Sequence, residues 1–168
     1  RSSSSIDLFT WLMAADGVPS DQQLKTFSQI VSMRRTLAVP TLFEAIGKAS
    51  PADKATLQGL VDSQRNNCNN GEVYLAVDLE IGQTIARIAD NIVVELLHNS
   101  LKRCIVSRTE LVLAFFGSLE EHFQTYQVLL SAFEQSDTVL SNPDIQRQTA
   151  QMIESFELQG LERVRRFL

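Results

Sequence analysis

The chain has only two histidines, and the spacing of its acids restricts what chemistry they can do together. Asp78 lies in VDLEIGQTIARIADN, residues 77–91, which reads as part of an amphipathic helix. One turn on, the same face carries Gly82, which has no side chain. A metal clamp borne on one helix needs a second ligand at that position. The two histidines are His98 and His122. His98 reads as a partly exposed structural residue, following VVELL and preceding a turn-like Asn-Ser. His122 falls near the core-facing edge of LEEHFQTYQVLL, an edge set by Leu119, Phe123, Tyr126 and Phe133. One imidazole and one carboxylate do not close a metal site. A metal-free interior with no cofactor is the expectation. No nucleophile elbow, Cys/His signature or phosphate loop is present. Without convergent acid and base groups, an enzyme is not expected. Lys102 and Arg103, and the tail RVRRFL, read as solvated helix faces.

The elements that must position these residues are helical. Apolar residues recur with a helical period along almost the whole chain, and no segment reads as a strand. A short helix is expected from Ser4 to Ala15. A second begins after Pro19–Ser20, and Pro40 should kink or break it, with a further helix over TLFEAIGKA. Ser50–Pro51 opens the next, a serine cap before a first-turn proline. QRNNCNNG reads as a loop. Helices follow over residues 72–90 and, after Asn91, over IVVELLHNSLKRCIVSRTELVLAFF. Gly117–Ser118 caps LEEHFQTYQVLLSAFEQ, DTVLSNP reads as a loop, and a last helix starts near Pro143. Gly82 stands out, because an interior glycine costs a helix about 1 kcal/mol relative to alanine. The implied architecture is all-α, a six- to seven-helix antiparallel bundle.

The 168 residues suffice for one domain with a substantial core. A net charge of −5 makes the domain a poor electrostatic match for a phosphate backbone. Any DNA contact would have to come from elsewhere. Cys68 and Cys104 match no zinc spacing and read as buried free thiols of a cytoplasmic protein, with a disulfide as the alternative. No apolar run reaches the roughly 18 residues of a membrane span, so no membrane partner is expected.

Three segments, in order, resemble the C-terminal effector-binding domain of the FadR branch of GntR transcription regulators. They are SMRRTLAVPTLFEAIGKAS, YLAVDLEIGQTIARIADN with Asp78 and Asn91 in place, and TYQVLLSAFEQSD with Leu129, Ala132, Phe133 and Asp137 matching. The resemblance implies a FadR C-terminal type bundle, residues 1–168 forming a single effector-binding and dimerisation domain. It implies a homodimer, with DNA bound only through an N-terminal winged helix-turn-helix domain that does not read out of this chain. Most of the branch holds a divalent metal with one Asp and three His. Here Asp78 keeps the Asp, while the histidine positions fall on Gly82, on Tyr126, and near Glu154 or Ser155. The fatty-acyl-CoA-responsive FadR type also lacks the metal set. The resemblance therefore implies a small anionic effector, acyl-CoA-like or a carboxylate, in an interhelical cavity.

The residues expected to meet that effector are Arg34, Asp78, Gly82, Arg87, Asn91, Tyr126 and Ser155. Arg34 could pair with a carboxylate or phosphate, or with a protein acid in a structural salt bridge. Asp78 could be the partner of that arginine. Tyr126 lies on the apolar stripe, so its hydroxyl needs a partner. Asn91 could be no more than a helix-end residue. Gly82 either vacates space for an effector or lets a neighbouring helix approach. The alternatives are an effector-free dimerisation or scaffolding module, which would have no internal cavity, and the ligand domain of a TetR-type regulator.

Overall fold

A computed structural model describes residues 19–168, with the backbone alone for residues 101, 103–105 and 107. Eight helices and no strand occur among the described residues: α1 Ser20–Lys48, α2 Pro51–Asn66, α3 Gly71–Ile88, α4 Ile92–Ser107, α5 Thr109–Phe116, α6 Leu119–Glu134, α7 Ser136–Ser141 and α8 Pro143–Phe167. The all-α expectation holds. The expected helix over Ser4–Ala15 lies outside the described residues.

Local chemistry sets most boundaries. Ser50 caps α2 in a reciprocal capping box with Asp53, with Pro51 in the first turn. Asn70, Ser118 and Asn142 each accept from backbone N–H groups at the starts of α3, α6 and α8. Gly117, at φ 74°, ends α5 in the left-handed region, and the Arg163 guanidinium donates to the Phe115 carbonyl beside it at 2.8 and 3.0 Å.

Several boundaries differ from the sequence expectation. Pro40 does not break α1, which runs unbroken for 29 residues. Pro40 is exposed, so its ring faces water. The Thr36 and Thr41 hydroxyls flank it and donate back to the Ser32 and Leu37 carbonyls. Burial of Phe27 and Val31 before it, and of Leu42, Ala45 and Ile46 after it, holds both halves of the helix. The stretch after Asn91 divides at Arg108 into α4 and α5. DTVLSNP is not a loop but contains α7, whose Val139 is buried.

The apolar interior forms two clusters. One joins Phe27, Val31, Tyr74, Leu75, Leu79, Leu111, Phe115, Phe116 and Val164. The other joins Leu42, Ile46, Leu57, Val61, Val77, Ile81, Phe123, Phe133 and Val139. Both draw on α1 and α3. The α5–α8 crossing is close, because a Cβ on Gly160 would lie 2.5 Å from the Phe115 ring and 2.9 Å from its carbonyl oxygen. Cys68 is half-buried rather than buried, with its thiol toward the Gln64 carbonyl. The Cys104 side chain lies outside the described atoms.

Candidate functional site

Polar side chains cluster where the two apolar clusters meet. On α3, Tyr74 and Asp78 are one turn apart, and on α6 so are His122 and Tyr126. Tyr74 Oη lies 2.8 Å from His122 Nδ1, and the Tyr126 hydroxyl donates to Asp78 Oδ1. Both pairs span 48 residues, so α3 and α6 run past each other in the same sense here. Tyr74 belongs to the first apolar cluster, and Tyr126 packs against the second.

Burial and aromatic contact hold His122 neutral. Its ring is 6% exposed and stacks on Phe116 at 4.0 Å, with Phe156 of α8 on another side at 5.1 Å. Burial pulls its pKa down to about 4; the nearby Asp78 charge opposes this, and Arg34 and Arg163 add to it. Burial, and then the Asp78 carboxylate, push the Tyr126 hydroxyl well above the ordinary phenol range. Burial likewise raises Tyr74. Both tyrosines therefore stay protonated and able to donate.

The space beside Gly82 is occupied by His98. A Cβ on Gly82 would lie 2.7 Å from His98 Cε1 and 3.4 Å from His98 Nδ1. The other ring nitrogen, Nε2, lies 2.7 Å from the Leu79 carbonyl oxygen. A carbonyl only accepts, so Nε2 carries the proton. In the neutral ring Nδ1 then presents a lone pair. Burial lowers the His98 pKa, with Arg34 and Lys102 acting the same way. Thus α4 supplies, from outside α3, an imidazole where α3 itself has none.

The expected site residues divide. Asp78, Gly82 and Tyr126 belong to this cluster. Arg34 is exposed on α1 and forms no ion pair or hydrogen bond among the described residues, yet its charge reaches His98, His122, Tyr126 and Glu157. Arg87 is exposed and donates to Thr84, with Asp53 of α2 within its field. Asn91 accepts from Val94 N and begins α4. Ser155 is exposed, and it is the next residue, Phe156, that meets His122. The Glu154 carboxylate pairs with Arg35 at 3.0 Å.

Four participants were not anticipated as partners: Tyr74, His98, Gln64 and Glu157. Tyr74 was findable, because it sits one turn before Asp78 on the same face. His98 depends on the angle at which α4 returns across α3, which no local pattern encodes. Gln64 is fully buried and acts on the Tyr74 hydroxyl, yet neither amide atom reaches good hydrogen-bond geometry among the described residues. Glu157 is 2% exposed, its carboxylate makes no hydrogen bond among the described residues and lies 3.4 Å from Arg35, and burial raises its pKa.

No group of three or more His, Cys, Asp or Glu side chains among the described residues converges as a metal site would require. Two clefts, of about 560 and 340 Å³, lie elsewhere: one between the start of α1 and the end of α8, the other between α2 and α6. Neither is lined by Arg34 or Asp78. No described helix is long and apolar enough to cross a membrane.

The model of one protein family, described as the FCD domain, matches residues 29–142. That span contains Arg34, Tyr74, Asp78, Gly82, His98, His122 and Tyr126. No curated protein and no solved structure matches the chain significantly.

Proposed function

The chain belongs to the FCD domain family, the effector-binding regulatory domain of GntR-type transcription regulators, and from that premise we propose that it senses a small carboxylate at the Asp78–Tyr126 cluster. The observation that carries this reading is Arg34. It is an arginine without an ion-pair partner among the described residues, at the edge of the cluster that Asp78 forms with two tyrosines and two histidines. A guanidinium in that position offers a bidentate hold on a carboxylate.

His98 favours a carboxylate over an acyl-CoA. An acyl chain needs a long apolar channel. The volume that Gly82 leaves open is filled by the imidazole instead. In this reading the effector meets Arg34 first and displaces or re-aims His98, and so moves α4 relative to α3. That displacement acts on regulation only if the ligand binds the shifted arrangement more tightly. The remainder of the proposal follows the family: a cytoplasmic homodimer that reaches operator DNA through a separate winged helix-turn-helix domain.

A scaffolding module without effector is the second reading. It is favoured by the two clefts, which lie away from Arg34. Thermal shift of the chain against small carboxylates, sugar acids, acyl-CoAs, Zn²⁺ and Ni²⁺ separates the readings. A carboxylate should raise the melting temperature in the native protein and not in Arg34→Ala. If acyl-CoA alone stabilises, the carboxylate assignment fails. If Zn²⁺ stabilises and Asp78→Ala abolishes the effect, the metal-free assignment fails. If no compound shifts the protein, the scaffold reading stands.

A further inference from the structure

α8 buries three residues, Glu157, Gly160 and Val164. They stand at i, i+3 and i+7, the positions that carry apolar side chains on a core-facing stripe. Glu157 breaks that pattern with a carboxylate. Taking a carboxylate out of water is unfavourable unless donors meet its oxygens. Neither Glu157 oxygen accepts a hydrogen bond among the described residues. Arg35 Nη1 lies 3.4 Å from Glu157, but the same nitrogen is 3.0 Å from the exposed Glu154. Glu154 alone suffices to tie α1 to α8, so that tie does not account for a second, buried acid.

Arg34, the neighbour of Arg35, acts on Glu157 more strongly than Arg35 does. Yet Arg34 and Glu157 form no ion pair among the described residues. A guanidinium and a carboxylate are thus close enough to feel each other without touching. The same guanidinium acts on His98, His122 and Tyr126.

We infer that the ligand is a zwitterion, an amino acid, with its carboxylate on Arg34 and its ammonium on Glu157. The inference rests on the reading of Arg34 as the carboxylate anchor, and it adds the second charge of the ligand. An amino acid carries the two groups on one carbon. Placed between Arg34 and Glu157, it sets each of its charges against the opposite one. An ammonium brings three donors, and the Glu157 oxygens lack donors. A carboxylate without an amine would bring a second negative charge beside Glu157 and leave those oxygens unmet, which is how the site would discriminate. Burial raises the Glu157 pKa, the direction expected of an acid without a well-matched cation.

Thermal shift of the chain against the common amino acids, then calorimetric titration of the best of them beside its 2-hydroxy and deaminated counterparts, tests this. The amino acid should bind roughly tenfold or more tighter than either counterpart. Glu157→Gln should lose that preference while keeping its circular dichroism spectrum, with the 2-hydroxy acid bound as before. If Glu157→Gln fails to fold, the three-ligand comparison on the native protein decides alone. Equal binding of the three compounds, abolished by Arg34→Ala, overturns the amine assignment and leaves the carboxylate reading standing. The same holds if only 2-hydroxy or deaminated acids bind. A folded Glu157→Gln that keeps the preference overturns the role of Glu157. If no compound of any of the three kinds binds, this inference and the carboxylate reading fall together.

Discussion

Replacing Gly82 by alanine should destabilise the native protein yet stabilise a variant lacking the His98 ring. Alanine gains about 1 kcal/mol over glycine in a helix interior. Against this, the new methyl would sit 2.7 Å from His98 Cε1, closer than non-bonded carbons approach. The ring must move, and its Nε2–H then loses the Leu79 carbonyl, worth about 0.5–1.5 kcal/mol. Forcing the ring off its preferred rotamer adds a similar amount. Gly82→Ala should therefore cost about 1 kcal/mol net in the native background, and gain about 1 kcal/mol in His98→Ala. The coupling of about 2 kcal/mol lies within the range found for residues in contact. Urea denaturation followed by circular dichroism on the four proteins measures it. If Gly82→Ala stabilises both backgrounds equally, His98 is not why this position is glycine, and the filled-space argument against an acyl chain falls with it.

Stability should also fall on acidification through the His122 equilibrium. The unfolded chain takes up a proton on this residue near pH 6.5, whereas the folded one resists until about 4. Between these values the unfolded state binds more protons, so stability rises with pH, and up to about 3 kcal/mol is lost from pH 6.5 to 4. In His122→Gln, denaturation midpoints should depend less steeply on pH across that window, and an unchanged slope would refute the assignment. Gly160→Ala should cost about 1–3 kcal/mol by wedging α8 from α5, a loss readable as a lower melting temperature. Pro40→Ala should raise stability by about 1–3 kcal/mol, because the exposed position gains a helical N–H without new crowding.

How much was legible in the sequence depended on range. Caps at Ser50 and Ser118 are chemistry between near neighbours, and they read correctly. Pro40 misled because local propensity argued for a break, while burial on both sides of it, a tertiary effect, kept α1 whole. DTVLSNP misled for the same reason, since Val139 reaches the core and pulls a turn of helix around it. Within the site, Asp78 and Tyr126 come together as members of two helical stripes. His98 could not be foreseen as the occupant of the Gly82 space. Its approach depends on the chain reversal at Asp90, which adopts φ 57°, a left-handed conformation uncommon outside glycine. Ser155 is exposed while its neighbour Phe156 meets His122, because one residue turns a helix by about 100°.

The division of the interior into two apolar clusters bears on how the molecule breathes. α1 crosses both, with Pro40 lying between its two buried halves, and α3 contributes Leu75 and Leu79 to one cluster but Val77 and Ile81 to the other. Amide exchange should accordingly resolve two opening reactions: one releasing α5 and α8 with the first half of α1, the other releasing α2 and α6 with the second half. The Tyr74–His122 and Asp78–Tyr126 bonds cross that seam. A molecule seated there slows both openings at once, so its signature is a merging of two exchange regimes into one.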